Sequence, residues 1–381
     1  MRVVQHSVGS VAEIAGLAPQ PAAGSDVLAL VFGSAAHFAD PALVPALRAA
    51  LPGVWLAGCS TAGEIIGDGI REESCVITVL SFERTRVRVV DTVVADIDRS
   101  MAGGQDLGRA LAAPDLAGVL VFGKGLAING SALIEGLVQG VGERVPVSGG
   151  LAGDGGAFKC TWVLSPAGVS DQKVVAVGLY GEGLRLGHGS FGGWEPFGPT
   201  RKITRATGNI LHELDGEPAL NVYKRYLGDY ARELPASGLL FPFEMLNQHG
   251  ATVGLIRTIL GIDEGTGSLI LAGAVDENGF LRLMHASADA LIDGAETAAR
   301  TSIAGLAPGS GPGVALLVSC VGRKLVMGDQ VDEEIAAVVE QLGADFTLTG
   351  FYSYGEICPL EGFQACKLHN QTMTVTLIAE S

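Results

Sequence analysis

The chain carries one pattern three times, and this internal repeat restricts its fold more than any other feature. Three short apolar runs read as buried strands: 27–32 (VLALVF), 118–122 (GVLVF) and 314–319 (VALLVS). They are rich in Val and Leu and bounded by Gly or polar residues. Each leads into a helical stretch and then into a second apolar strand that ends in a Gly-rich turn. The turns match one another: 58–64 is GCSTAGE, 350–356 is GFYSYGE, and 149–154 is GGLAGD, one residue shorter and closed by Asp. A further strand follows each turn, at 75–82, 174–180 and 372–379. Helical stretches at 101–112 and 289–306 lead into the second and third copies. One copy therefore reads β-α-β-α-β-β, and the fold class is α/β in three copies, with a pseudo-threefold arrangement open to them. Repeats of this kind stack or close around an axis and bring equivalent loops together. The three Gly-acid turns, with Glu64, Asp154 and Glu356, are expected to lie side by side. A segment at about 201–271, with a helix at 218–234 and an extended stretch at 239–260, is inserted between the second and third copies.

A chain of 381 residues with 48% hydrophobic and 17% charged residues is globular and long enough for two or three cores. The formal net charge is −16. Such a field repels phosphate backbones and anionic lipid, so nucleic acid and membrane surfaces are not expected partners. No window reaches the ~18 consecutive apolar residues of a membrane span. Residues 1–21 lack the apolar core of a signal peptide, and a cytoplasmic location is the expectation. The six cysteines, Cys59, Cys75, Cys160, Cys320, Cys358 and Cys366, form no CxxC pair and read as reduced thiols. Cys358, Cys366 and His369 outline half a metal site, with no fourth ligand in view.

Catalytic signatures are missing. Residues 58–63 have the spacing of a phosphate loop but no following Lys. There is no G-x-G-x-x-G after a strand and no G-x-S-x-G elbow, and His212-Glu213 does not extend to HExxH. A non-enzyme is the expectation. What remains is a set of polar residues in turns at strand ends, where α/β folds bind ligands. Arg323, after the third buried strand, either grips a carboxylate or phosphate or pairs with one of the repeat acids. Asn129 is a ligand contact or a turn former. Tyr352 and Tyr354 line a cavity or pack in the core. Glu64, Asp154 and Glu356 are ligand groups or helix caps. Cys59 and Cys320 are buried and inert, or Cys320 is a thiol activated by Arg323. The seven histidines form no cluster along the sequence.

Six segments, in order along the chain, resemble the FIST family. They are 54–65 (VWLAGCSTAGEI), 145–154 (VPVSGGLAGD), 203–220 (ITRATGNILHELDGEPAL), 319–323 (SCVGR), 350–359 (GFYSYGEICP) and 368–372 (LHNQT). The resemblance implies a two-part sensor, with an N-terminal domain at 1–220 holding two copies. A C-terminal domain at 221–381 holds the third copy and the inserted segment. It further implies a small-molecule ligand and a separate signalling partner such as a histidine kinase; a homo-oligomer is left open. Some stand-alone members bind haem and sense nitric oxide, which makes His188, His249, His285, His369 and Cys358 candidate axial ligands. With Ser60 and Asn370 from the matching segments, the candidate ligand-binding residues are Cys59, Ser60, Glu64, Asn129, Asp154, Cys320, Arg323, Tyr352, Tyr354, Glu356 and Asn370.

Overall fold

The apolar runs become strands whose two faces are both buried, which is why they read as continuous rather than alternating. In the strand Asp26–Gly33, Leu28, Leu30 and Phe32 face a central core. Val27, Ala29 and Val31 face an outer layer with the helices Ala35–Ala39 and Leu43–Ala50. The strand Leu116–Gly123 does the same: Leu120 and Phe122 point to the centre, Val119 and Val121 to the helices Ser100–Leu111 and Gly130–Val141. In Gly313–Cys320, Val314, Leu316 and Val318 point inward. Ala315 and Leu317 pack on the helices Ala288–Gly305 and Val331–Leu342. Phe32, Phe122 and Phe351 meet in the central core, with ring centroids 4.7, 5.4 and 6.1 Å apart. A computed structural model describes residues 1–17, 26–307, 309–360 and 366–381. The last residues of the 1–21 stretch therefore lie outside the described residues.

Three six-stranded sheets share one pairing order. The first runs Arg2–Val8, Cys75–Phe82, Asp26–Gly33, Trp55–Ser60, Val163–Ser165, Gly168–Ser170. The second runs Arg86–Val93, Lys173–Tyr180, Leu116–Gly123, Val147–Leu151, Gly355–Pro359, Cys366–His369. The third runs Leu184–Phe191, Met373–Glu380, Gly313–Cys320, Phe346–Ser353, Glu64–Ile66, Gly69–Arg71. In each, only the third and fourth strands are parallel. The last hairpin of each sheet comes from a different copy, so the three copies exchange hairpins with one another.

Two expectations need correction. The copies are not simply β-α-β-α-β-β: a short hairpin follows each acid turn, made of strands too brief to show a periodicity. The inserted segment is also larger than 201–271. A nine-stranded fourth sheet runs from Glu195 to His285, with its own core and the helix Ala219–Leu227. That helix stops at Gly228, whose φ of 57° lies in the left-handed region, so the residues to 233 form a 3₁₀ turn instead. The 239–260 stretch is broken into the strands Phe243–Leu246, Thr252–Arg257 and Ile259–Asp263. Among the described residues no helix is long and apolar enough to cross a membrane.

Candidate functional site

The Gly-acid turns begin where the parallel strands come closest. A Cβ on Gly58, Gly149 or Gly350 would lie 1.8, 2.0 or 1.8 Å from a carbonyl oxygen of the neighbouring strand, on Val31, Val121 or Leu317. Only glycine fits all three positions. Past these residues the turns bond to one another. Ala62 N–H donates to Tyr352 O (2.8 Å) and Tyr352 N–H to Gly63 O (2.8 Å). Tyr354 N–H donates to Leu151 O (3.1 Å), and Gly153 N–H to Ser60 O (2.9 Å). The three turns are thus neighbours, as the repeat implies.

Their carboxylates do not converge. Glu64 is buried and accepts from the Thr61 hydroxyl and from Ser74 N–H (3.2 Å) and Oγ (2.7 Å). Glu356 is buried in a matching nest, accepting from Ser353 Oγ (2.9 Å) and from Thr372 N–H (3.1 Å) and Oγ1 (2.9 Å). Burial pushes both carboxyls up, Glu356 to about 7, against the hydrogen bonds that favour the ionised form. The middle copy has Leu151 where the others have a hydroxyl three residues before the acid. Asp154 instead accepts from the N–H groups of Phe158 (2.8 Å), Lys159 (2.6 Å) and Cys160 (2.9 Å) and from the Tyr354 hydroxyl.

The other sequence candidates are also engaged within the protein. Arg323 has 0% exposure. Its Nε donates to Glu334 Oε1 (2.8 Å), its Nη2 to Leu291 O (2.7 Å) and to Glu334, and its Nη1 to Gly192 O. Its partner is Glu334 of the helix Val331–Leu342, not a repeat acid. The same carboxylate accepts from Tyr352 and from Ser319 Oγ (3.1 Å), so Tyr352 is a core residue. Tyr354 stacks on Phe158 with centroids 4.3 Å apart, and its hydroxyl is fixed by Asp154. Asn129 caps the helix Gly130–Val141 through Ala132 N–H (3.1 Å). Ser60 Oγ bridges to Gly153 O (2.7 Å) and accepts from Trp162 N–H (2.9 Å). Cys59 and Cys320 are buried, and burial pushes both thiols up, away from nucleophilic character. None of Asn129, Asp154, Cys320, Arg323, Tyr354 and Glu356 lines the cavity at the inserted sheet.

A cavity of about 730 Å³ lies elsewhere, at the seam between the fourth sheet and the third copy. One wall is Ser190–Trp194, leaving the third sheet; another is 252–256 with Glu244, Asn247 and Met284 of the fourth sheet. The last is Lys367, His369 and Thr372, with Leu360 beside them. Two sequence candidates hold these walls from behind: Arg323 fixes Gly192 O and Glu356 fixes Thr372. Within the walls, Trp194 Nε1 donates to Gln371 O (2.8 Å). Gln371 is a non-glycine residue at φ 62°, fully buried, and its Nε2 reaches Leu239 O (2.8 Å) in the inserted segment. The side-chain oxygens of Asn370 and Gln371 have no partner among the described residues. Strain and unmatched polar atoms cluster at functional sites, and His369 and Thr372 of the LHNQT segment line this cavity. Trp194, Ile256, Met284 and Lys367 carried no sequence signal, since they meet only through the inserted sheet.

Of the candidate axial ligands for haem, His369 alone lines the cavity. Its Nε2 donates to Cys358 O (3.0 Å), and burial pushes its pKa down to about 4. His188 is enclosed beside Ser148, His249 is exposed, and His285 lies by Glu195 and Phe197. Cys358 is wholly buried, with its Sγ 3.8 Å from Gly189 O. Among the described residues no group of His, Cys, Asp or Glu is placed to hold a metal, so Cys358, Cys366 and His369 do not complete one.

The FIST N domain matches residues 27–217 and the FIST C domain residues 219–359. The chain belongs to the FIST family. FIST domains are sensor domains in signal transduction. Relatives include an uncharacterised protein of Mycobacterium tuberculosis, 27% identical over 94% of this chain and 93% of its own. Another, from Mycobacterium bovis, is 28% identical over 97% and 92%. A solved structure, a cyanuric acid hydrolase from A. caulinodans, covers 99% of both chains at 11% identity and a TM-score of 0.37, a likeness too loose to use. The two FIST domains are interleaved: the N domain supplies Glu64–Ile66 to the third sheet, and the C domain supplies Gly355–Pro359 to the second. Of the cavity lining, Ser190–Trp194 fall within the FIST N match and the rest lies beyond it, between Glu244 and Thr372.

Proposed function

We propose that this FIST protein is a non-catalytic sensor. It takes a small, largely apolar organic ligand in the seam cavity and signals to a separate protein such as a histidine kinase. The observation that carries this reading is the cavity itself. Its volume of about 730 Å³ falls in the usual range for small-molecule sites, roughly 300–1,000 Å³. Its lining is Phe191, Trp194, Val253, Leu255, Ile256 and Met284, with a few polar groups to orient a ligand: Lys367, Thr252 and Ser190. Glu244 is neutralised by Arg282, Nε to Oε2 3.0 Å. Because both the repeat core and the inserted sheet form its walls, a ligand favours the arrangement that closes the seam by its differential affinity. The buried, bonded acids and the raised thiols support a non-enzyme. A pseudo-threefold arrangement of the copies and a cytoplasmic location belong to the same proposal. The first rests on the shared pairing order, the second on the charge and the apolar pattern.

A thermal-shift screen of amino acids and other metabolites tests the site. A true ligand raises Tm in the wild type by mass action. Val253→Trp fills the cavity and should abolish that shift; a shift of unchanged size in this variant rejects the cavity as the site.

A further inference from the structure

The seam cavity holds one buried acceptor that the protein itself leaves open. His369 lines the cavity and is only 2% exposed. Its Nε2 faces Cys358 O at 3.0 Å, and a carbonyl can only accept, so Nε2 carries the proton. Burial pushes the imidazole down to about 4, so the ring is neutral at neutral pH. Nδ1 then keeps its lone pair and has no hydrogen-bond partner among the described residues. A buried acceptor on a cavity wall calls for an N–H or O–H from what fills the cavity.

The charges around the cavity leave a positive excess. Lys367 stands two residues before His369 on the same face of the strand Cys366–His369 and also lines the cavity. It is exposed and pairs with no carboxylate among the described residues. Arg257 sits behind the wall, 4% exposed, where its Nη1 donates to Ile256 O (3.0 Å) and Leu368 O (3.4 Å). It too has no carboxylate within ion-pair distance among the described residues. Burial lowers its pKa only to about 10, so it stays cationic. Glu244 is the one acid in the described lining, and Arg282 neutralises it, Nε to Oε2 3.0 Å. Glu356, behind Thr372, is pushed up to about 7 and is half ionised at neutral pH. Asn247 adds a donor to the lining. Its Oδ1 accepts from the N–H groups of His249 (2.9 Å) and Ala251 (3.1 Å), which leaves Nδ2 without an acceptor among the described residues.

We propose that the seam cavity selects an organic monocarboxylate: an apolar body against Trp194, Ile256 and Met284, a carboxylate at Lys367, and a neutral N–H or O–H donor at His369 Nδ1. The proposal rests on the seam cavity being the ligand site. Residues two apart on one strand face are separated by about 7 Å, which sets the spacing of acid and donor on the ligand. Amines, α-amino acids included, are disfavoured. An ammonium would enter a field that is already positive and meet a carboxylate whose charge Arg282 has taken. An uncharged amide loses the attraction of Lys367 and Arg257.

The test is thermal unfolding of the full chain with four matched probes: indolepropionate, its primary amide, tryptamine, and indolepropionate methylated on the ring nitrogen. Indolepropionate should raise Tm saturably. The amide, and the methylated acid that has lost its N–H, should need severalfold higher concentrations for the same rise; tryptamine should give none. Lys367→Gln, at an exposed position, should weaken the acid about fivefold and leave the amide unchanged. A rise with tryptamine or the amide equal to that with the acid, and abolished by Val253→Trp, overturns the proposal while the cavity remains the ligand site. A rise with the acid that persists in Val253→Trp overturns both. No rise with the acid overturns the proposal whatever the wider metabolite screen finds. Equal potency of the acid and its methylated form overturns the assignment of the donor to His369.

Discussion

Glu356 and His188 show how burial alone can make single residues sensitive to pH. Glu356, without exposure, has its pKa pushed up to about 7 from 4.5. The folded state therefore binds this proton more tightly than the unfolded chain does. Its contribution to stability is present below about pH 4.5 and is lost as pH rises through about 7. His188 goes the other way: burial lowers it from 6.5 to about 4, so its contribution is present above about pH 6.5 and is lost as pH falls through about 4. Relative to wild type, Glu356→Gln should gain stability between pH 4.5 and 7 as pH rises. His188→Gln should gain as pH falls from 6.5 toward 4. Each proton shifts stability by about 1.4 kcal/mol per pH unit within its window. Urea midpoints across pH for the three proteins check both signs. Glu334 is a harder case, since it alone neutralises Arg323 and also holds Tyr352 and Ser319. Glu334→Leu leaves a bare buried guanidinium and should cost about 3–5 kcal/mol in urea unfolding. A loss under about 1 kcal/mol would mean that carbonyls suffice to hold Arg323.

The strands and turns depend on close backbone approach more than on any side chain. At Gly350 the nearest carbonyl oxygen would be 1.8 Å from a Cβ, which no rotamer change can relieve. Gly350→Ala should therefore separate the strands Gly313–Cys320 and Phe346–Ser353 and prevent recovery of folded protein. Gly53 makes the contrast. It is left-handed at φ 76° with nothing within 4 Å of a Cβ, so Gly53→Ala should cost only about 1 kcal/mol. Soluble yield and urea midpoints of the two variants give the comparison. The helices Ser100–Leu111 and Gly130–Val141 also approach backbone to backbone, since a Cβ on Gly104 would lie 2.0 Å from Leu133 O and one on Gly136 2.2 Å from Met101 O, while Leu107, Leu111, Leu133, Ile134 and Leu137 form one apolar layer.

Exchange of hairpins makes the whole molecule one folding problem. Residues 1–217 hold every strand of the first sheet but lack Gly355–Pro359 and Cys366–His369 of the second. They also lack the three strands of the third sheet that should flank Leu184–Phe191 and Glu64–Arg71. Expressed alone, this half presents unpaired edges and should aggregate. Coexpression with 218–381 should restore a soluble complex, read by size exclusion and circular dichroism. A monodisperse, folded 1–217 would show that the halves are independent domains.

The α/β class, the strand positions and the nearness of the three turns were legible in the sequence, because they follow from local patterns. Apolar runs buried on both faces, such as 27–32, and glycines forced by a neighbouring carbonyl, such as Gly58 and Gly350, recur wherever the copy recurs. The LHNQT stretch supplies His369 and Thr372 to the lining of the seam cavity. What the sequence could not show was which partner each polar group meets. Arg323 and Glu334 lie on successive helices, Gly192 is 131 residues before Arg323, and Trp194 reaches Gln371 across 177 residues. Local pattern determined the elements and their order. Long-range packing, which sets distances between segments far apart in the chain, decided that the acids and Arg323 became framework and that the cavity opened at the inserted sheet.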